Sequence, residues 1–298
     1  MKPLNMILAG MLLLVMGCSQ ETAENQVEGT APVTVRFNDF STSMLGFDDG
    51  PSLTRAPENP ATYDGVGAMQ LAFYDVNGTK VYHVTQIKSN SSTYETFGQF
   101  KADLPIGNYT MVALGYYYSA SDAFSLTSPT EAVFTSEKPR ETFCKTQSVR
   151  VTNTAPVELD VTLSHIGARL TIQSTDNASA GVAKMRTTFG KGGKSFSPTT
   201  GLALTDTGFS QTQSASTNAD GKLTIYSFPF LAADTETMDV TLEAFDADNN
   251  LLFTKVVPDV TFKCGYATTI KGTVFTVGSS SFGFMLNSDW GDGGTVTF

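Results

Sequence analysis

Alternation with period two dominates the chain. Val33-Thr34-Val35-Arg36-Phe37 sets Val33, Val35 and Phe37 on one face of an extended segment and Thr34 and Arg36 on the other. Leu71 and Phe73 lead into Asp75-Val76-Asn77-Gly78, where Asn-Gly supplies the positive φ of a tight hairpin turn, and Lys80-Val81-Tyr82-His83-Val84 returns. Leu104 to Leu114 reads as a turn followed by a strand, residues 115 to 142 read as loop, and Val149 to Val151 begins another strand. The second half repeats the pattern. Val240 to Phe245 runs into a turn at Asp246 to Asn250, and Leu251-Leu252-Phe253 returns. Cys264-Gly265-Tyr266-Ala267-Thr268-Thr269-Ile270 echoes Ile106 to Val112. Gly181 to Thr188, the one stretch with any helical character, is too short and too Gly-flanked to count as a helix. These elements predict an all-β protein of two tandem β-sandwich domains joined near Thr154, each of about seven strands.

The end of the chain carries a second strand of the first kind. After Lys271 to Val277 and a Gly278-Ser279-Ser280-Ser281 break, Phe282, Phe284 and Leu286 alternate, and Val296 and Phe298 close the sequence. The spacing of Phe282, Phe284 and Leu286 matches that of Val33, Val35 and Phe37, so one segment fits the other's groove.

Composition narrows the function classes. Of 298 residues 41% are apolar and 16% charged, with 26 Gly and 21 Phe, which suits short strands around real cores. A net charge of −10 without a segregated basic patch argues against a nucleic-acid partner. Met6 to Met16 is an apolar run too short to span a bilayer and fits an export signal. Val15-Met16-Gly17-Cys18 resembles a bacterial lipobox, which makes residues 1–18 a lipoprotein signal peptide with Cys18 as the acylated residue and outer-membrane lipid as its partner; the alternative is an ordinary cleavage site near Cys18. Residues 19–55 then form a polar tether and an N-terminal strand. Pro51, Pro57 and Pro60 break the stretch that follows, with Arg55-Ala56 in its middle. The two domains expected beyond it are 56–153 and 154–298. Cys144 and Cys264 either bridge the two halves or stay as free thiols, since spacing cannot decide between them.

Catalytic chemistry is not assembled. Gly190-Lys191-Gly192-Gly193-Lys194-Ser195 has Thr188 where a phosphate loop needs its first Gly. Asp246, Asp248 and Asn250 have calcium-ligand spacing, but Leu251 and Val257 occupy the sixth and twelfth places. His83 and His165 read as structural or surface imidazoles. No metal, cofactor or enzyme activity is expected. Tyr116-Tyr117-Tyr118 offers either a stacking surface for a sugar or core aromatics.

A cut after Arg55 would leave Cys18 to Arg55 held by noncovalent contacts alone. The face of Val33, Val35 and Phe37 would supply about 5 to 8 kcal/mol of these at most, little enough to be displaced. The vacated groove would take a strand from another copy, and head-to-tail contacts that do not close make a filament.

In this arrangement the chain resembles the fimbrillin family of lipoprotein-derived pilus subunits. The lipobox at Cys18, the strand before Thr54-Arg55-Ala56, the Leu71 to Gly78 hairpin, Leu163-Ser164-His165-Ile166-Gly167-Ala168-Arg169-Leu170, and Gly265 to Phe275 before Trp290 carry the resemblance by their order. It implies two tandem transthyretin-like β-sandwich domains, periplasmic transit as a lipoprotein, cleavage by an arginine-specific protease at Arg55-Ala56 and polymerisation by strand exchange. Val33, Val35 and Phe37 would leave, and Phe282, Phe284, Leu286, Val296 and Phe298 would belong to donor strands. Other pilus subunits would be the partners, at the outer membrane and in a surface fimbrium that serves adhesion. A non-cleaved anchor subunit and a glycan-binding surface lipoprotein are the alternatives.

Overall fold

The computed structural model describes residues 29–41, 63–120, 124–136, 138–275 and 282–287. Strands β1 (Thr30–Ser41), β2 (Ala68–Tyr74), β3 (Lys80–Ile87), β4 (Gln99–Pro105), β5 (Gly107–Tyr116), β8 (Thr142–Val151) and β9 (Val157–Ile166) form one seven-stranded sheet in the order β3-β2-β5-β8-β9-β1-β4. The sheet folds over on itself, because β8 pairs with β5 along its whole length but meets β9 only at its start, from Thr142↔Ile166 to Cys144↔Ser164. Its inner face is the first core, with Leu71, Phe73, Phe100, Met111, Phe143 and Leu163 among the residues fully or almost fully removed from water.

The second half uses β10 (Arg169–Asn177), β11 (Lys184–Phe189), β13 (Phe209–Ser214), β14 (Lys222–Ser227), β15 (Thr235–Phe245), β16 (Leu251–Lys263), β17 (Ala267–Gly272) and β18 (Phe282–Asn287). They make two four-stranded sheets, β14-β10-β17-β18 and β13-β11-β15-β16. Set beside the first half, β4-β1-β9 corresponds to β14-β10-β17, and β3-β2-β5-β8 corresponds to β13-β11-β15-β16. In both halves the first strand pairs in parallel with the seventh, β1 with β9 and β10 with β17. The architecture is thus an all-β pair of sandwiches with one strand order used twice. β18 is an eighth strand, added to β17, with no counterpart among the described residues of the first half.

Two sequence expectations change here. β9 belongs to the first sheet, so the chain passes between the halves at Gly167-Ala168 rather than near Thr154. Residues 115 to 142 are not all loop: β6 (Phe124–Ser128) and β7 (Glu131–Phe134) form a hairpin there. β7 also pairs with the two-residue β12 (Ser195–Phe196) from the second half. Phe134, Phe196 and Phe230 cluster in that region, with ring centroids 4.6 Å apart for the tilted pair Phe196 and Phe230, and share a core with Tyr74 and Tyr116. The stretch from Gly181 to Thr188, not counted as a helix, leads into strand β11 (Lys184–Phe189).

Gly167 makes the crossing. Its φ of +71° is left-handed, and an added Cβ would lie 2.7 Å from the Pro229 carbonyl oxygen. Its own carbonyl accepts from Gly265 N at 2.6 Å, while Ala168 N donates to Pro229 O. Gly167→Ala is therefore expected to cost at least about 1–2 kcal/mol, with the displaced Pro229 loop adding to it, and thermal unfolding would measure the loss.

Candidate functional site

β1 is an inner strand. It runs antiparallel to β4, from Thr30↔Pro105 to Arg36↔Gln99, and parallel to β9, from Val33↔Val157 onward. Its alternation is what the sandwich needs: Val33, Val35 and Phe37 are 1%, 0% and 5% exposed, and Thr34 and Arg36 turn towards solvent. The Phe37 ring meets that of Phe100 at 5.0 Å, and Phe37 N donates to Gly98 O at 2.8 Å. A register shift between Phe37 and Asp39 marks a bulge where the strand passes beyond β4. On the outer face Arg36 pairs with Glu158 at 3.2 Å, both side chains well exposed. Arg36→Ala should accordingly change unfolding free energy by less than about 1 kcal/mol in a urea titration.

The slot that β1 fills has two walls of different kinds. β9 is tied to β8, whereas β4 has, among the described residues, no other strand partner than β1. Across the open seam beyond β4 stands β3. Gln86 Nε2 donates to Gln99 O at 2.7 Å, Gly98 N donates to Gln86 Oε1 at 2.8 Å, and Tyr82 OH donates to Lys101 O at 3.0 Å.

The late strand is present as β18, which runs antiparallel to β17 from Ala267↔Asn287 to Gly272↔Phe282 at the edge of its sheet. Phe282, Phe284 and Leu286 therefore lie in a strand of their own half. Cys18, Arg55, Ala56, Val296 and Phe298 lie outside the described residues.

The bridge allowed between Cys144 and Cys264 is not formed; both are free thiols. Cys144 is buried in β8 with Sγ 3.4 Å from Pro198 O, and Cys264 follows β16 with Sγ 3.7 Å from Ala233 O, so the two face different surroundings. Burial pushes each thiol up to about 12. Neither should react with a disulfide reagent at pH 8 in the native protein, and both should react after denaturation.

Other candidates take ordinary structural places. Tyr116 is in the shared core and its ring packs on Phe124 at 4.4 Å, while Tyr117 is 44% exposed with Arg140 over its ring, so the three tyrosines make no continuous stacking surface. Asp246 accepts from Asp248 N and Asn250 N in a hairpin turn. Gly192 N, in the Gly190 to Ser195 loop, donates to Asp206 Oδ1 at 2.8 Å. His83 is exposed on β3.

His165, at the end of β9, is buried, and its Nε2 bonds Glu141 Oε1 at 2.8 Å; Tyr63 OH donates to the same oxygen at 2.6 Å. Its ring lies 3.8 Å from that of Phe143. Burial lowers the His165 pKa, opposed by Glu141 and reinforced by Arg169. This cluster fastens the start of the second described segment to β8 and β9. Nothing in the residue order marks this connectivity, nor Gln86 and Phe100.

A family model described as a family of unknown function (DUF6562) matches residues 47–294. No curated protein matches the chain. Among solved structures, a candidate adhesin of Bacteroides ovatus is 15% identical, covers 84% of this chain and 88% of its own, and superposes with a TM-score of 0.50. The fimbrial anchor protein Mfa2 of Porphyromonas gingivalis is 12% identical over 87% of this chain and 98% of its own, with a TM-score of 0.49. The first of these likenesses shows a shared fold.

Proposed function

The chain belongs to the DUF6562 family, a family of unknown function, and from the placement of β1 we propose that it is a structural subunit of a surface fimbria, assembled by proteolysis-triggered strand exchange and serving adhesion. One observation carries the reading. A strand whose apolar face fills the middle of a sandwich is joined to that sandwich only through residues 42–62, and those residues contain Arg55-Ala56. Cleavage there converts an intramolecular strand into a noncovalent one. Its loss would open a slot with unpaired backbone groups on both walls, which an alternating strand of a second copy can fill. Phe282, Phe284 and Leu286 on an edge strand have the required spacing, and Val296 and Phe298 continue it. The Bacteroides ovatus neighbour is described as a candidate adhesin, and adhesion is carried over from it as part of the same reading. Cys18 acylation would hold the precursor at the outer membrane.

A second reading follows from the central position of β1. A chain that escapes cleavage keeps the strand, cannot accept a donor and ends the fibre as an anchor subunit.

Limited digestion with an arginine-specific protease separates these readings. The exchange reading expects a product beginning at Ala56, loss of the fragment containing residues 30–41, and ladders of multimers on gels. A product beginning at Ala56 that retains that fragment and stays monomeric would overturn it.

A further inference from the structure

We infer that Gln86 and Tyr82 are positioning residues that hold β4 in place after β1 departs, so that the slot keeps both walls while it waits for a new strand. The inference rests on the strand-exchange reading above. Among the described residues β4 has β1 as its sole strand partner, so the hydrogen-bond ladder alone would let β4 peel away with it. The β3 side chains prevent this by a route that does not pass through β1. β3 is paired along its length with β2, from Ala68↔Ile87 to Tyr74↔Lys80, and β2 with β5. From that base Gln86, itself buried, makes two bonds across the seam, to Gln99 O and from Gly98 N, and Tyr82 makes a third to Lys101 O. The two carbonyls belong to alternate residues of one strand, so they point to the same side, away from β1. Tyr94 OH, donating to the carbonyls of Ile87 and Lys88, ties down the loop between β3 and β4.

The bonds have two consequences for exchange. An incoming strand meets an ordered β4 edge and is spared the entropy of ordering it. The outward edge of β4 is also covered, which directs the newcomer to the inner side where Val33, Val35 and Phe37 had packed. The seam holds an open hollow of about 200 Å³ lined by Tyr82, Val84, Gln86, Tyr94 and Phe100. Its Gln86 amide and Tyr82 hydroxyl are engaged with β4, which fits a clamp better than a ligand pocket.

The test is a trypsin time course read by mass spectrometry, comparing wild type with Y82F/Q86L, each as a full chain kept whole by Arg55→Gln and as its Arg55-cleaved form. Cutting after Arg36 reports departure of β1, and cutting after Lys101 reports departure of β4. In the cleaved wild type Arg36 should be cut well before Lys101. In the cleaved double variant Lys101 should be cut at least about tenfold faster than in wild type, while the uncleaved variant stays as resistant as wild type. Equal rates at Arg36 and Lys101 in cleaved wild type, or no acceleration in the variant, would overturn the inference. If Arg36 stays protected after cleavage, the exchange reading fails by itself. The same comparison is then made in a full-length Val35→Asp background, where a carboxylate forced into the slot expels β1, and the order of cutting again decides the role of Gln86 and Tyr82.

Discussion

Replacing Phe37 by Ala should lower the unfolding free energy of the uncleaved chain by about 3–5 kcal/mol, measured as a shifted urea midpoint with an unchanged slope. The ring is buried and rests on Phe100, whose own ring is almost wholly removed from water. The Phe37 backbone bond to Gly98 would survive the change, so the loss isolates packing from pairing. A domain holds together by only about 5–15 kcal/mol, so a loss of this size is a large share of the total. It should also make β1 leave faster once Arg55 is cut, because the face that retains it has lost its largest member. A loss below about 1 kcal/mol would mean that this face contributes little to holding β1.

Glu141→Ala should cost about 2–4 kcal/mol, because it deletes the acceptor of two buried hydrogen bonds, from Tyr63 and from His165. The wild-type protein should also lose stability in acid through His165. Burial holds this imidazole below its ordinary 6.5, so the unfolded chain binds the proton first. The His165 contribution is whole above pH 6.5 and fades as the pH falls from there towards the lowered native value. His165→Gln should flatten the urea midpoint between pH 7.5 and 5.5. An equal decline in wild type and variant would assign the acid loss to other groups. His83, lowered by burial and by Lys80, acts in the same direction, so His83→Gln is measured separately to divide the acid loss between the two imidazoles.

What could be foreseen from residue order was local. The β1 face was legible because three apolar residues at period two are bounded by polar neighbours, and the β2-β3 turn because Gly78 takes a φ of +78°. β9 has an equally clear alternation from Val157 to Leu163. Its partner, however, lies more than a hundred residues back, and the Thr152 to Pro156 turn before it looks like a boundary. β6 and β7 were too short among Ser, Thr and Pro to register as strands. The Glu141, His165 and Tyr63 cluster joins positions with no common spacing. The bonds of Gln86 and Tyr82 end on backbone carbonyls, which every residue carries, so nothing in the sequence marks them. β18 was expected as a strand, but only its pairing reveals that the second sandwich is already complete without it.

The pairing of β1 on both flanks has a mechanical side. Tension applied along its axis loads the β4 and β9 ladders together, in shear, rather than opening them one bond at a time from an end. Any strand seated between the same two neighbours inherits that loading. A fibre linked in this way resists a pull along its length far better than a peeling force applied across it.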